Sequence, residues 1–146
     1  MEKQPNSRTC FVCGRQNEIG LKVSWFNDYE KQEVVAAVNI PEQFNSYPGF
    51  VHGGIVSAIL DETAGRAVML NSDMNSLDCL MVTTRLEVKY RRPTPTQQPL
   101  TVVGRVLRQD SGRAKVAAEL RLPDGTVTAS CQATVVRPPE EYFKMW

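Results

Sequence analysis

Apolar and polar residues alternate along most of this chain, and one segment breaks the alternation. In "GLKVSWFN", Leu21, Val23 and Trp25 alternate with Lys22 and Ser24, the period of a strand with one buried face. "NDYEKQ" is polar and turn-like, and "EVVAAVNI" reads as a second strand closed by Pro41. These two are expected to form a hairpin. "PEQFNSYPGF" is an irregular connector with two prolines. From about Gly53 to Leu70 the period becomes helical. Ile55, Ile59, Glu62 and Arg66 share one face, and Val56, Leu60, Thr63 and Ala67 another. Apolar residues fall nearly all round, so this helix is expected to be enclosed by other structure. "NSDMNS" should end it.

Period two then returns. In "CLMVTTRLEVKYRRP", Leu86, Val88 and Tyr90 alternate with Arg85, Glu87 and Lys89. "LTVVGRVLRQD", "AKVAAELRL" and "TVTASCQATVVRP" follow, joined by turns at "DSGR" and "PDG". This order predicts an α+β domain, one long central helix against a six-stranded antiparallel sheet whose last three strands form a meander. "RPPEEYFKMW" is a tail, and no repeat or low-complexity segment is visible.

Length and charge narrow the possibilities. The 146 residues fit a single domain, 1–146, with a real core. A formal net charge of +1 provides no field that selects nucleic acid or an acidic membrane surface. No run of about 18 apolar residues occurs, so no membrane span is expected. The opening "MEKQPNSRTC" is polar and has no signal-peptide core, which points to the cytoplasm.

Cys10, Cys13, Cys79 and Cys131 are expected to be reduced there. Cys10 and Cys13 form a CxxC in "TCFVCGRQN". A closed zinc site usually takes four ligands. A zinc site within one chain would have to recruit Cys79 and Cys131, which lack ligand-like spacing. No strand precedes the pair and no helix signal follows, so no thioredoxin-like pattern accompanies it. The plainer reading is a tight turn leading into a strand, with no metal and no cofactor.

The chemistry concentrates in "PGFVHGGIVSAILDETAG", Pro48 to Gly65. A carboxylate in an enclosed helix is costly unless paired, hydrogen-bonded or protonated. Glu62 has Arg66 four residues on, a favourable helix pair. Asp61 has Gly65 at that spacing and no such partner. "HGG" stands where a cap is usually Ser, Thr, Asp or Asn. Glycines there leave N–H groups open at the positive end of the helix dipole, which suits an anion or oxyanion, although a tight turn alone would also want glycine.

Those residues resemble the hotdog-fold acyl-CoA thioesterases, in particular the branch containing the phenylacetyl-CoA-type enzymes. The likeness rests on "HGGIVSAILDE", with Asp nine residues after His. It extends to "RLEVKYRRPTPTQQPLTVVGRVLRQDSGRAKVAAEL" and the opening "CFVCGRQNEIGLKV", so it runs from about Cys10 to Val136.

The resemblance implies a sheet wrapped on the helix and active sites shared between subunits of a homodimer or homotetramer. It implies an acyl-CoA substrate, and hydrolysis of a thioester, already electrophilic, requires no metal or organic cofactor. Asp61 falls on the family's general base or nucleophile. Gly53, with Gly54 beside it, falls on the backbone oxyanion donor, and His52 on a positioning histidine. Thr83, counted back from Tyr90, falls on a water-holding hydroxyl, while Thr84 should point to the other face. Some members carry an amide six residues before the histidine. Here that position is Ser46, so either Asn45 shifts by one residue or Gly53 carries the oxyanion with less help.

Arg91, Arg92, Arg113, Lys115 and Arg137 are candidates for the phosphates of coenzyme A, with solvated surface charge as the plainer reading of each. Tyr47, Phe50, Met69 and Leu80 line either the acyl pocket or the core. A hotdog hydratase or dehydratase, or a non-catalytic acyl-CoA-binding module, are the alternative functions.

Overall fold

The computed structural model describes residues 1–73 and 79–145, the last three by backbone alone. The elements are β1 (Glu2–Lys3), β2 (Phe26–Asp28), β3 (Glu33–Val38), helix α1 (Gly53–Arg66), β4 (Val82–Tyr90), β5 (Leu100–Asp110), β6 (Arg113–Arg121) and β7 (Val127–Val136). The strands form one antiparallel sheet in the order β1-β2-β3-β5-β6-β7-β4. It has seven strands rather than the expected six, the addition being the two-residue β1. The β2–β3 hairpin and the β5–β6–β7 meander are present as expected.

Leu21 to Trp25 keep their burial but not their place in the sheet. Val23 and Trp25 are buried, yet the Leu21 and Val23 N–H groups donate to Phe11 and Val12 carbonyls, both at 2.9 Å. The segment pairs with the CxxC turn because Asn6 also clamps it, Nδ2 donating to the Cys13 and Val23 carbonyls at 2.8 and 2.9 Å. Burial pattern fixed the buried side chains here, while a local loop took the backbone bonds.

The core lies between α1 and one face of the sheet. On β6 the inward residues are Ala114, Val116, Ala118 and Leu120, and on β7 Ala129, Cys131, Ala133 and Val135. Val56, Ile59 and Leu60 of the helix meet them. Truncating fully buried Ile59 or Leu60 to Ala should cost about 2–5 kcal/mol. Gly104 lets β5 approach the helix, since a Cβ there would sit 2.6 Å from the Thr63 carbonyl oxygen.

Two expectations about the helix need correction. Its α-helical part ends at Arg66, and Ala67–Asn71 continue as a 3₁₀ turn. Nor is it enclosed all round: Ser57, Ala58, Asp61 and Gly65 are only half-buried and Gly54 is exposed. Of the expected terminating stretch, Ser72 closes the turn by donating to the Val68 carbonyl at 2.7 Å, and residues 74–76 lie outside the described residues. In the tail, Tyr142 is 58% exposed. The side chains of Phe143 and Trp146 lie outside the described residues.

Candidate active site

The helix start is built around His52. It is the N-cap of α1, and its Nδ1 accepts the Gly54 N–H at 2.9 Å. Neutral His52 in that role carries its proton on Nε2. A Cβ at position 54 would lie 3.1 Å from that Nδ1, so the cap needs a small residue there. Sequence reasoning left both glycine amides open. In the structure His52 occupies the Gly54 N–H, and the Gly53 N–H has no partner among the described residues. One donor, at the positive end of the helix dipole, is available to an oxyanion.

Asp61 lies two turns along, on the half-open face of α1. Thr83 Oγ1 donates to Asp61 Oδ1 at 2.7 Å, leaving Oδ2 uncommitted by that bond. The backbone explains how Thr83 reaches it. Leu86, Val88 and Tyr90 pair with Ala133, Cys131 and Ala129, all inward positions of β7. Strict alternation would put Thr84 on that side and turn Thr83 away. A β-bulge between Thr83 and Arg85 absorbs Thr84, so Thr83 stands opposite inward Val135. Thr84 Oγ1 instead donates to the Thr134 carbonyl at 3.2 Å.

Glu62 is paired as its spacing predicted. Arg66 donates to Glu62 Oε1 through Nε and an η-nitrogen, both at 3.2 Å. The same guanidinium donates to the Pro5 carbonyl at 2.9 Å and Gln4 Oε1 at 3.3 Å, reaches Cys13 Sγ at 3.1 Å, and lies 4.3 Å from the Trp25 ring centroid. The other Glu62 oxygen, Oε2, faces Cys10 Sγ at 3.2 Å. Burial, with Glu62 beside it, pushes the Cys10 thiol up to about 11. Burial also lifts Cys131 to about 11, with the charge of Asp61 adding to it.

The remaining sequence candidates separate. Asn45 pairs with Val51 just before the helix start, and its Oδ1 is buried without a hydrogen-bond partner among the described residues. Ser46 is exposed. Arg91 and Arg92 donate their backbone N–H groups to the Thr128 carbonyl at 2.8 and 3.0 Å, with both side chains exposed. Arg91 borders a charged depression with Glu87, Lys89, Arg105 and Glu119, residues of the outward register, so this chain does not bring it to Asp61. Arg113, Lys115 and Arg137 are exposed. Met69 is core, while Tyr47 and Phe50 are 80% and 41% exposed and Leu80 is half-buried.

Two residues escaped sequence reasoning. Tyr90 OH donates to the Gly53 carbonyl at 2.8 Å and lies 2.5 Å from Ser57 Oγ. Tyr90 thus ties the end of β4 to the first turn of α1, as Thr83 ties its beginning to Asp61. The alternation of β4 already put Tyr90 on the helix-facing side. Nothing in the sequence singled out Ser57 among the small residues of the helix.

This fold has known counterparts. Residues 48–129 match the model of the thioesterase superfamily, and the chain belongs to that family, whose hotdog architecture of sheet and central helix it displays. A Saccharolobus solfataricus protein, SSO2140, provisionally named an esterase, is 32% identical over 100 residues, covering 68% of each chain. The acyl-coenzyme A thioesterase THEM4 of Rattus norvegicus is 22% identical over 135 residues, 92% of this chain. The chain spans 55% of that relative's length. Among solved structures, the thioesterase superfamily protein RHA08564 superposes with a TM-score of 0.78 at 28% identity, covering 88% of this chain and 63% of that one. Among the described residues no helix is long and apolar enough to cross a membrane.

Proposed function

We propose that this chain is an acyl-CoA thioesterase, hydrolysing an acyl-CoA thioester to a free acid and coenzyme A. The observation that carries the reading is the Thr83–Asp61 hydrogen bond on the open face of the helix. Thr83 fixes one carboxylate oxygen, and the other is left for water or substrate. As general base, Asp61 takes a proton from water while the water oxygen bonds the carbonyl carbon. As nucleophile, its own oxygen forms that bond and water later cleaves the anhydride. Either way the carbonyl oxygen becomes negative, and a Gly53 N–H stabilises it. Collapse breaks the carbon–sulfur bond, and the coenzyme A thiolate leaves and takes up a proton. A thioester is electrophilic enough for this chemistry without a metal.

Within one chain Gly53 and Asp61 are eight residues apart along α1, about 12 Å. One carbonyl cannot meet both, so we assign the donor and the carboxylate of each site to different subunits. The edge position of β4 supports this reading. Among the described residues it pairs with β7 alone, and Val82, Leu86 and Tyr90 are 37%, 37% and 56% exposed. An edge strand of that length with apolar residues exposed is a natural seat for a second copy.

The reading is tested with purified protein, wild type and Asp61→Asn, on a panel of acyl-CoAs with thiol release and enoyl hydration both followed. Thiol release by the wild type and a loss of at least about 100-fold in the variant are expected. Equal rates would remove Asp61 from the chemistry. Hydration without thiol release would make the protein a hydratase, and binding without either a carrier module.

A further inference from the structure

We propose that Cys10, Cys13 and Glu62 form a metal site for a thiophilic divalent cation, zinc being the fitting class, that fastens the N-terminal segment to helix α1. The inference is independent of the reaction at Asp61. The ligand atoms of these three residues lie within 4.8 Å of one another, the one such grouping among the described residues. Two thiolates on a tetrahedral zinc stand about 3.8 Å apart at Zn–S distances near 2.3 Å. The existing separations therefore need a contraction of about 1 Å at most.

The backbone around Cys10 is shaped for a bound thiolate. The Val12 N–H donates to Cys10 Sγ at 3.3 Å, and the Gly14 N–H closes the turn on the Cys10 carbonyl at 2.7 Å. A Cβ at position 14 would fall 2.4 Å from that carbonyl oxygen, so CxxC followed by glycine is required for this loop. A peptide N–H aimed at the sulfur suits a thiolate better than a thiol.

The carboxylate is divided in the same sense. Arg66 holds Glu62 Oε1, while Oε2 faces the cysteines. This is a ligand oxygen on one side and an outer-shell donor on the other. Arg66 also contacts Cys13 Sγ, and Ser7 Oγ lies 3.8 Å from it while accepting the Cys10 N–H at 3.1 Å. The guanidinium does not displace the cation on charge grounds. The charges of a divalent ion and Arg66 balance two thiolates and one carboxylate, so the half-buried cluster becomes neutral. Loading releases two thiol protons to solvent, and water fills the fourth position beside half-exposed Cys10. Sequence reasoning sought the missing ligands in Cys79 and Cys131. Cys131 instead faces the Leu60 carbonyl in the core, and the third ligand is an acid 52 residues from Cys10.

The test uses the full chain, reduced, stripped with chelator and reloaded. About one zinc per chain by elemental analysis is expected. Reloading with cobalt(II) should give thiolate-to-cobalt charge-transfer absorption and strong visible bands of tetrahedral type. Stripping should lower the melting temperature, and zinc should restore it. Cys13→Ser should lose the charge-transfer band by at least half, and Glu62→Gln should weaken cobalt binding at least about 10-fold. The wild-type cobalt spectrum decides the question even if a variant fails to fold. Less than about a tenth of a metal per chain with no cobalt–thiolate band would overturn the proposal. So would isolation of Cys10 and Cys13 as a disulfide that forms equally in the presence of zinc.

Discussion

Asp61 and Glu62 are neighbours in the chain but face different elements of the molecule. About 100° of helix rotation separates them. Glu62 turns toward the N-terminal segment, where a buried guanidinium and a cysteine face its two oxygens. Asp61 turns toward β4, where one neutral hydroxyl faces one of its oxygens. The Glu62 side is cross-braced: Trp25 Nε1 donates to Thr63 Oγ1 at 2.9 Å, and Gln4 Nε2 donates to Asn27 Oδ1 at 2.7 Å and the Arg66 carbonyl at 3.2 Å. The Asp61 side depends on β4, which stands at the edge of the sheet among the described residues. A charge neutralised by a cation serves stability. Asp61 is oriented by one neutral donor beside open space at Gly65, the setting that the proposed chemistry requires.

This contrast can be broken from either side. The largest effect is expected at the helix start. Gly53→Pro removes the unpartnered N–H at the first helical position, where proline is well tolerated. His52 already has ψ 135°, as a residue before proline requires, and a Cβ at 53 meets Tyr90 at an ordinary 3.6 Å. Thiol release should fall about 100- to 1000-fold with the melting temperature unchanged. Arg66→Met should leave Glu62 without its cation and cost about 3 kcal/mol of unfolding free energy in denaturant titration. Should Arg66→Met instead spare stability and abolish turnover, the division of labour between the two acids would be wrong.

Thr83→Val keeps the shape and removes the hydroxyl. A loss of about 1 kcal/mol, roughly fivefold in kcat with KM little changed, is expected. Tyr90→Phe should have the smallest effect. It frees the Gly53 carbonyl and Ser57 in an exposed setting, costing at most about 1 kcal/mol of stability.

Much of this was legible in the sequence because it was periodic. Alternation located β3 to β7, and the helical period located α1 and the Glu62–Arg66 pair. What escaped has physical reasons. Leu21, Val23 and Trp25 alternate like a strand since their side chains are sorted by burial, but the backbone partner is the CxxC loop and not the sheet. The half-open face of α1 was hidden because small apolar residues such as Ala58 and Gly65 look the same at an enclosed position and an uncovered one. Thr83 is the sharper case. Period two assigns it to the wrong face, and only the bulge at Thr84 brings it to Asp61. The likeness to hotdog thioesterases pointed to Thr83 where alternation could not.

The central claim is that Asp61 and the Gly53 N–H of one active site come from different subunits. It is tested by mixing Asp61→Asn and Gly53→Pro chains one to one through unfolding and refolding, then measuring thiol release. Half the dimers in a random mixture carry one chain of each kind. If sites are shared, each of those dimers holds one site with both groups intact, and the mixture should recover about a quarter of wild-type activity. If both groups act within one chain, every site in every dimer lacks one of them, and the mixture should stay as inactive as the two variants alone.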